Sequence, residues 1–586
     1  MSFLNTLKAE DYAVLEKYML VKQFEPNTLI LREGDAGDGC YLIDEGTIRL
    51  ELTNVETDTD SVLGFLDAGM FLGEFSLLDG KPRSASAYAH TAVKARWLSS
   101  ECFEEICKSY PIIGLQMTVA LGQDLAAKLR NFDQKIAGYM FAHDIDRDTN
   151  EMVERAIMAQ KSFEQWPEDR INALLEEIAT TIAENAGEYA DRNVKETGIG
   201  IAADKVHKIR FASLEVYRII VDHLAAGVVS NNLQNKVTEI ACPVGVIFGM
   251  IPVTNPVSTI VFKCLVALKG RNAIILSCHR NALGIGSQIC DVIRDILERH
   301  GAPRDLVQTV RERSSRQKTM MFMHHPDVSL ILATGGTSMV KAAYSSGTPA
   351  IGVGAGNAPV LICSDSDLTM AAQSIVKSKS FDNGVICGSE NNLIVVNSIY
   401  HKFIEELKAA GAIILGPEEK ERMNTIIFDV KNHSLNKSMV GKSAQYIADA
   451  AGIRFNKDTM LIIVPIDRHE LDGHYGHEKL APVLSLCAVK NEDEGIEVCK
   501  QILSNHGRGH TAVIYTKNQA LIERYGCEIE ASRILVNASA SQGCVGIGTG
   551  LTPSFTLGCG TFGGNSTTDN ITYSHLINIK RLAQAL

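Results

Sequence analysis

Apolar and polar positions alternate along this chain with two different periods, and the change from one to the other divides it. Between residues 28 and 98 short β-rich runs (LILREGDAGDG, CYLIDEGTIRLELTN, SVLGFLDAGMFLGEF, SASAYAHTAVKARWLS) are separated by glycine and aspartate turns. That spacing predicts an antiparallel barrel or roll rather than βαβ units. Residues 111–140 then read as one long helix. Leu125, Leu129, Phe132 and Ile136 recur there at heptad-like spacing, which suits a dimer seam or packing against the roll itself.

Beyond residue 150 helical periodicity alternates with short apolar runs. Helices are predicted over 151–190, broken near Pro167, and over 205–226; strands are predicted at 244–248, 272–276, 328–332, 350–353 and 392–396. Strands separated by helix-length segments imply an α/β region with a largely parallel sheet. Ligands of such sheets gather beyond the carboxyl ends of the strands. The loops expected there are Pro252-Val253-Thr254-Asn255-Pro256, Thr334-Gly335-Gly336-Thr337 and the loop through Gly352, Gly354 and Gly356. No GxGxxG fingerprint is present: Gly284 and Gly286 lack the third glycine and fall in a predicted helix.

The uncharged run 240–262 is long enough to cross a membrane. Pro243, Pro252 and Pro256 interrupt it, so it reads instead as a buried strand, a tight loop and a helix beginning near Pro256. A chain of 586 residues exceeds one hydrophobic core. Its formal charge of -12 gives no electrostatic reason to bind nucleic acid or an anionic membrane. The first residues carry acids and no apolar stretch, so no secretory leader is expected. The fourteen cysteines lack CxxC pairs and read as reduced thiols of a cytoplasmic protein.

Two segments carry chemistry. In the roll, FLGEFSLLDGKPRSA pairs a glycine and a carboxylate (Gly73, Glu74) with Arg83 and Ser84. Backbone N–H groups at a helix start and a guanidinium neutralise phosphate, and a carboxylate accepts from a ribose hydroxyl. With REGDAGDGCYLIDEGTIRL, this segment resembles the phosphate-binding cassette of cyclic-nucleotide-binding domains. The resemblance implies that Glu74 holds the ribose 2'-OH and Arg83 the cyclic phosphate, that Ser84 and Gly73 complete the site, and that the effector is a cyclic nucleotide, with cAMP favoured. The alternative is a docking domain in which Arg83 forms only an ion pair.

In the α/β region, Phe381-Asp382-Asn383-Gly384-Val385-Ile386-Cys387-Gly388-Ser389-Glu390 places a cysteine between a polar turn and an apolar strand. Backbone N–H groups facing its sulfur are expected to lower the thiol pKa. FDNGVICGSE resembles the nucleophile motif of CoA-acylating aldehyde dehydrogenases. The likeness continues in order through ETGIGIAADKVHK, CPVGVIFGMIPVTNPVST, LATGGTSMVKAAYSSGTPAIGVGAGNAPV, HEKLAPVLSL, HTAVIYT and TPSFTLGCGTFGGNS.

It implies an aldehyde dehydrogenase fold, a Rossmann-like NAD-binding part and an α/β catalytic part. Cys387 is the expected nucleophile and Asn255 the oxyanion donor. Thr254, Ser277, His279, Gly335, Gly336 and Glu478 are expected around the dinucleotide. NAD is the expected cofactor, with NADP open because no lysine follows the strand ending at Ser277-Cys278-His279-Arg280. CoA is the expected co-substrate. Val353 stands where hydrolytic relatives place a general-base glutamate, which favours transfer to a thiol over water. The cluster His469, Glu470, His474, His477 and Glu478 lacks HExxH spacing, so no metal is expected.

The resulting division is 1–110 for the roll, 111–149 for the connecting helix, 150–380 for the NAD-binding part, 381–545 for the thiol part and 546–586 for a return to the NAD-binding or oligomerisation part. A homo-oligomer is expected, along with a short aldehyde as substrate and no iron-dependent alcohol dehydrogenase half after HLINIKRLAQAL.

Overall fold

The computed structural model describes residues 9–54, 59–311, 316–429, 434–454, 456 and 458–586. The chain forms two compact units, Met1–His143 and Asp144–Leu586.

Among its described residues the first unit contains eight strands: β1 (Leu20–Phe24), β2 (Leu29–Leu31), β3 (Gly39–Glu45), β4 (Ile48–Asn54), β5 (Thr59–Leu66), β6 (Phe71–Leu72), β7 (Ser86–Ala89) and β8 (Val93–Ser99). They pair antiparallel in two four-stranded sheets, ordered β1-β8-β3-β6 and β2-β7-β4-β5. Burial alternates along β7 and inward positions recur along β8, as expected of strands with one face inward. Tyr41, Ile43, Ile48, Leu66, Leu72, Ala87, Ala89, Val93 and Ala95 fill the space they enclose. The expected roll is present.

The long helix runs from Pro111 to Phe163, beyond its predicted end. Ile113, Met117 and Leu121, one turn apart, pack with Cys40, Leu42, Phe71, Leu98 and Ile106, while Ile112, Leu115 and Val119 on another face are exposed. The side chains of Leu129, Phe132 and Ile136 from the heptad-like stripe lie outside the described residues.

In the second unit β9 (Gly227–Asn232), β10 (Val237–Pro243), β11 (Val246–Ile251), β12 (Ala273–Cys278), β13 (Val307–Thr309), β14 (Val328–Thr334) and β15 (Ala350–Val353) come first. Next are β16 (Ala358–Ile362), β17 (Glu390–Val396), β18 (Ala412–Ile414), β19 (Phe428–Asp429), β20 (Ser434–Leu435), β21 (Leu461–Pro465), β22 (Val483–Val489), β23 (Gly509–Tyr515), β24 (Ala531–Val536) and β25 (Ile577–Ala583). A five-stranded parallel sheet is ordered β13-β12-β11-β14-β15, and a seven-stranded one β18-β21-β22-β17-β16-β23-β24. β11, β12 and β17 are buried along their whole lengths, which explains the near-continuous apolar sequences of β11 and β12; β17 opens instead with the buried polar residues Glu390, Asn391 and Asn392. β25 pairs with β10, which pairs with β9, in a separate antiparallel sheet.

The strand order reverses between β11 and β14. Their carboxyl ends therefore flank the crevice where open α/β sheets take ligands, and the loops at Pro252–Pro256 and Gly335–Gly336 open from those ends. Three predicted boundaries move. β11 starts at Val246 because β10 occupies the chain to Pro243 and Gly245 turns it at φ 123°. The helix predicted from 205 begins at Ala202 and widens into a π-helical turn at Phe211–Glu215 before ending at Ile220. The part expected to bind NAD does not extend to 380. β16 belongs to the seven-stranded sheet, and Ala371, Ala372, Ile375 and Val376 of the helix Leu368–Ser380 pack in that sheet's core.

Candidate active site

Cys387 lies on the loop that enters β17. Before it, Asp382, Asn383 and Gly384 take φ of 50°, 54° and 74°, a left-handed run that Asp, Asn and Gly tolerate best. Only glycine fits at 384, where an added Cβ would approach Ala481 O to 2.7 Å. Asp382 is wholly buried and anchors the turn. Its Oδ1 accepts from Ile201 N–H at 2.7 Å, and its Oδ2 accepts from Lys205 Nζ at 3.0 Å and Lys208 Nζ at 2.5 Å. A carboxylate shared by two cations offsets the cost of burying all three charges. Burial still pulls the Lys205 ammonium down to about 8.

Asn255 is joined to this assembly. It sits at the start of the helix Pro256–Lys269; its Nδ2 donates to Val385 O at 2.9 Å, and its Oδ1 accepts from Lys208 Nζ at 2.9 Å. The carbonyl of Thr254 accepts from Lys205 Nζ at 2.8 Å. The structure thus brings Asn255 against the segment that carries Cys387.

The expectation of a low thiol pKa is overturned. Desolvation pushes the Cys387 thiol well above its ordinary range, and Cys544, Glu478 and Cys559 add to the shift; Arg533 pulls the other way. The turn supplies backbone dipoles, but the surrounding walls limit hydration and put weak acids around the half-buried sulfur. An added Cβ on Gly356 would lie 1.5 Å from Cys387 O, and one on Gly388 would lie 2.4 Å from Cys544 Sγ. His510 is buried beside this wall, its Nδ1 2.8 Å from Thr511 Oγ1.

Glu478 keeps part of its surface yet is enclosed on most sides. That lost hydration pushes its carboxyl up to about 8, against the opposing pull of Lys379 and the N–H of Gly356. Beyond it, Lys379 Nζ donates to Ser389 Oγ at 3.1 Å and Lys479 O at 2.8 Å, and burial lowers it to about 7. The Gly352–Gly356 loop is thereby tied to both Glu478 and Cys387.

Two helix starts at the crevice differ. Glu196 fills the first, accepting from the N–H groups of Gly284 and Ile285 at 2.7 Å each. Gly286 packs its helix against β12, where a Cβ would meet Cys278 Sγ at 2.5 Å. The helix Thr337–Tyr344 has no side-chain cap, and a Cβ on Gly336 would meet nothing within 4 Å. An open, uncapped helix start fits a pyrophosphate, so the residues present suit a dinucleotide. Ser277 is buried at the end of β12, whereas His279 is exposed, its Nδ1 accepting from Asn281 N–H at 3.2 Å. Val353 is buried and apolar. Asp467, His469 and Glu470 bring one ligand atom each within 4.8 Å, but Glu470 is bonded to Lys420 at 2.6 Å.

In the roll, Gly73 takes φ 83° as the cap of the helix Glu74–Asp79. Glu74 and Arg83 are 2% and 4% exposed, and both are already engaged. Arg83 donates to Asp38 Oδ1 at 2.8 Å, Gly39 O at 2.8 Å and Gly73 O at 3.0 Å. Lys128 Nζ donates to Glu74 Oε1 at 2.7 Å and Phe71 O at 2.6 Å. Ser84 is exposed.

Sequence reasoning missed Lys205, Lys208, Arg533 and Lys128. The signal for the first two was two lysines three residues apart on a predicted helix, which alone reads as a solvated face.

A half-buried thiol on a tight turn, an asparagine bonded to that turn and an uncapped helix start at the switch point fit an α/β dehydrogenase. The chain belongs to the aldehyde dehydrogenase family, whose sequence profile matches residues 130–575, and carries a cyclic nucleotide-binding domain at residues 21–110. Its relatives include acetylating aldehyde dehydrogenases. The bifunctional aldehyde-alcohol dehydrogenase AdhE of Escherichia coli (strain K12) is 39% identical over 442 residues, 75% of this chain and 49% of that protein. The chain thus spans about half the length of that relative. An acetylating aldehyde dehydrogenase from Geobacillus thermoglucosidasius is 40% identical with TM-score 0.74, covering 76% of this chain and 98% of its own. A Rhodopseudomonas palustris propionaldehyde dehydrogenase, solved with bound CoA and an acylated cysteine, is 26% identical with TM-score 0.67, covering 74% and 97%.

Proposed function

We propose that this protein oxidises a short-chain aldehyde, acetaldehyde by default, to its acyl-CoA with NAD, reversibly, and that a cyclic nucleotide, cAMP by preference, acts on it as effector. The observation that carries the reading is Asn255, held against Val385 two residues before Cys387 while an apolar Val353 replaces the water-activating base.

Cys387 Sγ attacks the aldehyde carbon as the carbonyl π pair moves to oxygen. The Asn255 amide and the Cys387 N–H receive that charge, and one such donor is worth roughly 100-fold or more in rate. Gly335, Gly336, Thr254, Ser277, His279 and Glu478 would hold the dinucleotide, with Glu478 orienting the nicotinamide ribose. A bound nicotinamide would accept the hydride there, and its positive charge would favour the Cys387 thiolate. The acyl group left on Cys387 as a thioester passes to the CoA sulfur, and Cys387 leaves as thiolate. Support for the CoA branch comes from the propionaldehyde dehydrogenase relative with bound CoA.

For the roll, Glu74 would take the ribose hydroxyl, and Arg83 and Ser84 the cyclic phosphate. We place the protein in the cytoplasm as a homo-oligomer. Among the described residues no helix is long and apolar enough to cross a membrane, and exposed Ile112, Leu115, Val119, Leu233 and Leu582 offer apolar surface to a second copy.

The test is NADH formation from acetaldehyde and NAD, with and without CoA, repeated at saturating cAMP. A CoA-dependent rate that shifts with cAMP is the expected result. NADH released steadily without CoA would sink the acylating assignment, and an unchanged rate with cAMP would sink the effector.

A further inference from the structure

Lys208 touches the oxyanion donor and not the nucleophile, and its position constrains what that donor can do. A lysine ammonium has donors only, so the Asn255 atom 2.9 Å from Lys208 Nζ must be the carbonyl oxygen. Val385 O accepts only, so the atom 2.9 Å from it must be the amide nitrogen. The two partners fix the flip of the carboxamide from opposite sides. Nδ2 carries two hydrogens, and among the described residues Val385 O takes one of them. Lys208 is itself held by Asp382 at 2.5 Å and is 3% exposed, so it has one place to be.

We propose that Lys208 is a positioning residue for the reaction, setting the Asn255 carboxamide so that its N–H edge, rather than its oxygen, faces the thiol loop where the oxyanion forms. The inference rests on the dehydrogenase reading above. Without the ammonium, Asn255 Oδ1 loses its partner and Val385 O alone holds the flip, so the turned state becomes more populated. In the turned state its oxygen faces the loop, repelled by Val385 O and by the developing charge. The cation also polarises the amide along the C=O bond and strengthens the opposite N–H donor. Lys205 supplies the internal comparison. It shares Asp382 and the same burial, but it bonds the backbone carbonyl of Thr254 and leaves the Asn255 side chain alone.

The test is a double-mutant cycle, which separates action through a partner from independent action. First-turnover NADH formation is measured in the full chain for wild type, Lys208→Met, Asn255→Ala and the pair, using the short aldehyde that gives the largest burst. This signal precedes acyl transfer, so the cycle stays readable even where water rather than CoA proves to be the acceptor. The expected result for Lys208→Met is a rate roughly 10- to 100-fold lower, with KM for aldehyde and NAD within about 3-fold. In the Asn255→Ala background the same change should cost less than about 3-fold. Lys205→Met should instead cost the same factor in both backgrounds. Should Lys208→Met fail to fold, Lys208→Arg keeps a cation for Asp382 and the same cycle is run with it. Equal cost of Lys208 substitution in both backgrounds, or an effect confined to KM, overturns the proposal.

Discussion

The charged side chains of the two sites differ in what they do before a ligand arrives. In the roll, Arg83 and Glu74, the groups expected to grip a nucleotide, already hold Asp38 and Lys128. Around Cys387, the charges of Lys205, Lys208 and Asp382 hold one another and the turn, while the groups that meet substrate are left to the pocket. A ligand of the roll must exchange partners, which lowers affinity but allows the domain two arrangements. A substrate of the enzyme meets a site built in advance, which spares it reorganisation.

Removing the proposed nucleophile gives the largest expected effect. Cys387→Ala is expected to lower NADH formation by at least about 1,000-fold, read in steady-state assays at matched folded fraction, while nucleotide binding to the roll stays within about 3-fold. Asp382→Asn comes next. It leaves two buried lysines without their carboxylate, and breaking such a pair costs about 3–5 kcal/mol. Calorimetry should show the second unit melting earlier while the roll is unchanged; equal loss in both would erase the contrast.

Arg83→Ala should weaken cAMP binding by roughly 10- to 100-fold, in line with about 1.5–3 kcal/mol for bonds to a charged group. Isothermal titration reads this directly. Asp38→Asn should do the opposite by less. Its carboxylate is 75% exposed, and exposed pairs are worth about 0.2–1 kcal/mol, so binding should tighten about two- to five-fold. Weaker binding in that variant would mean Asp38 helps the ligand rather than competes with it.

Protonation gives the smallest test. Burial raises the Glu478 carboxyl from the ordinary carboxylate range to about 8 in the folded protein. A raised carboxyl contributes stability at low pH that is lost as pH rises through the folded value. Glu478→Gln should therefore gain melting temperature relative to wild type as pH climbs from about 6 to about 9. A difference that does not change with pH would place Glu478 in wetter surroundings.

Much of this was legible from periodicity and motifs. β15 was expected with its observed ends, the proline pattern at 240–262 correctly gave strand, loop and helix, and the glycine–aspartate turns announced the roll. The thiol loop, Asn255 and Glu478 were named from sequence, and the structure sets Asn255 and Glu478 around that loop. Lys208 and Lys205 were not, because three-residue spacing on a helix does not say whether the face is wet or buried. The Cys387 pKa was misjudged for a related reason: Cys544, Cys559 and Glu478 are distant in sequence, and only folding puts them near the sulfur. The misplaced boundary at 380 has a topological cause. β16 is as apolar as its predecessors, and only strand pairing reveals which sheet takes it.

The close approach of Gly356 to the Cys387 carbonyl, 1.5 Å from an imagined Cβ, bears on how this enzyme can be redesigned. Libraries that randomise the pocket to change aldehyde preference would naturally include positions 356 and 388, since both flank the cysteine. Those two are the mould in which the catalytic peptide is cast, so diversity spent there yields misshapen scaffolds rather than new specificities.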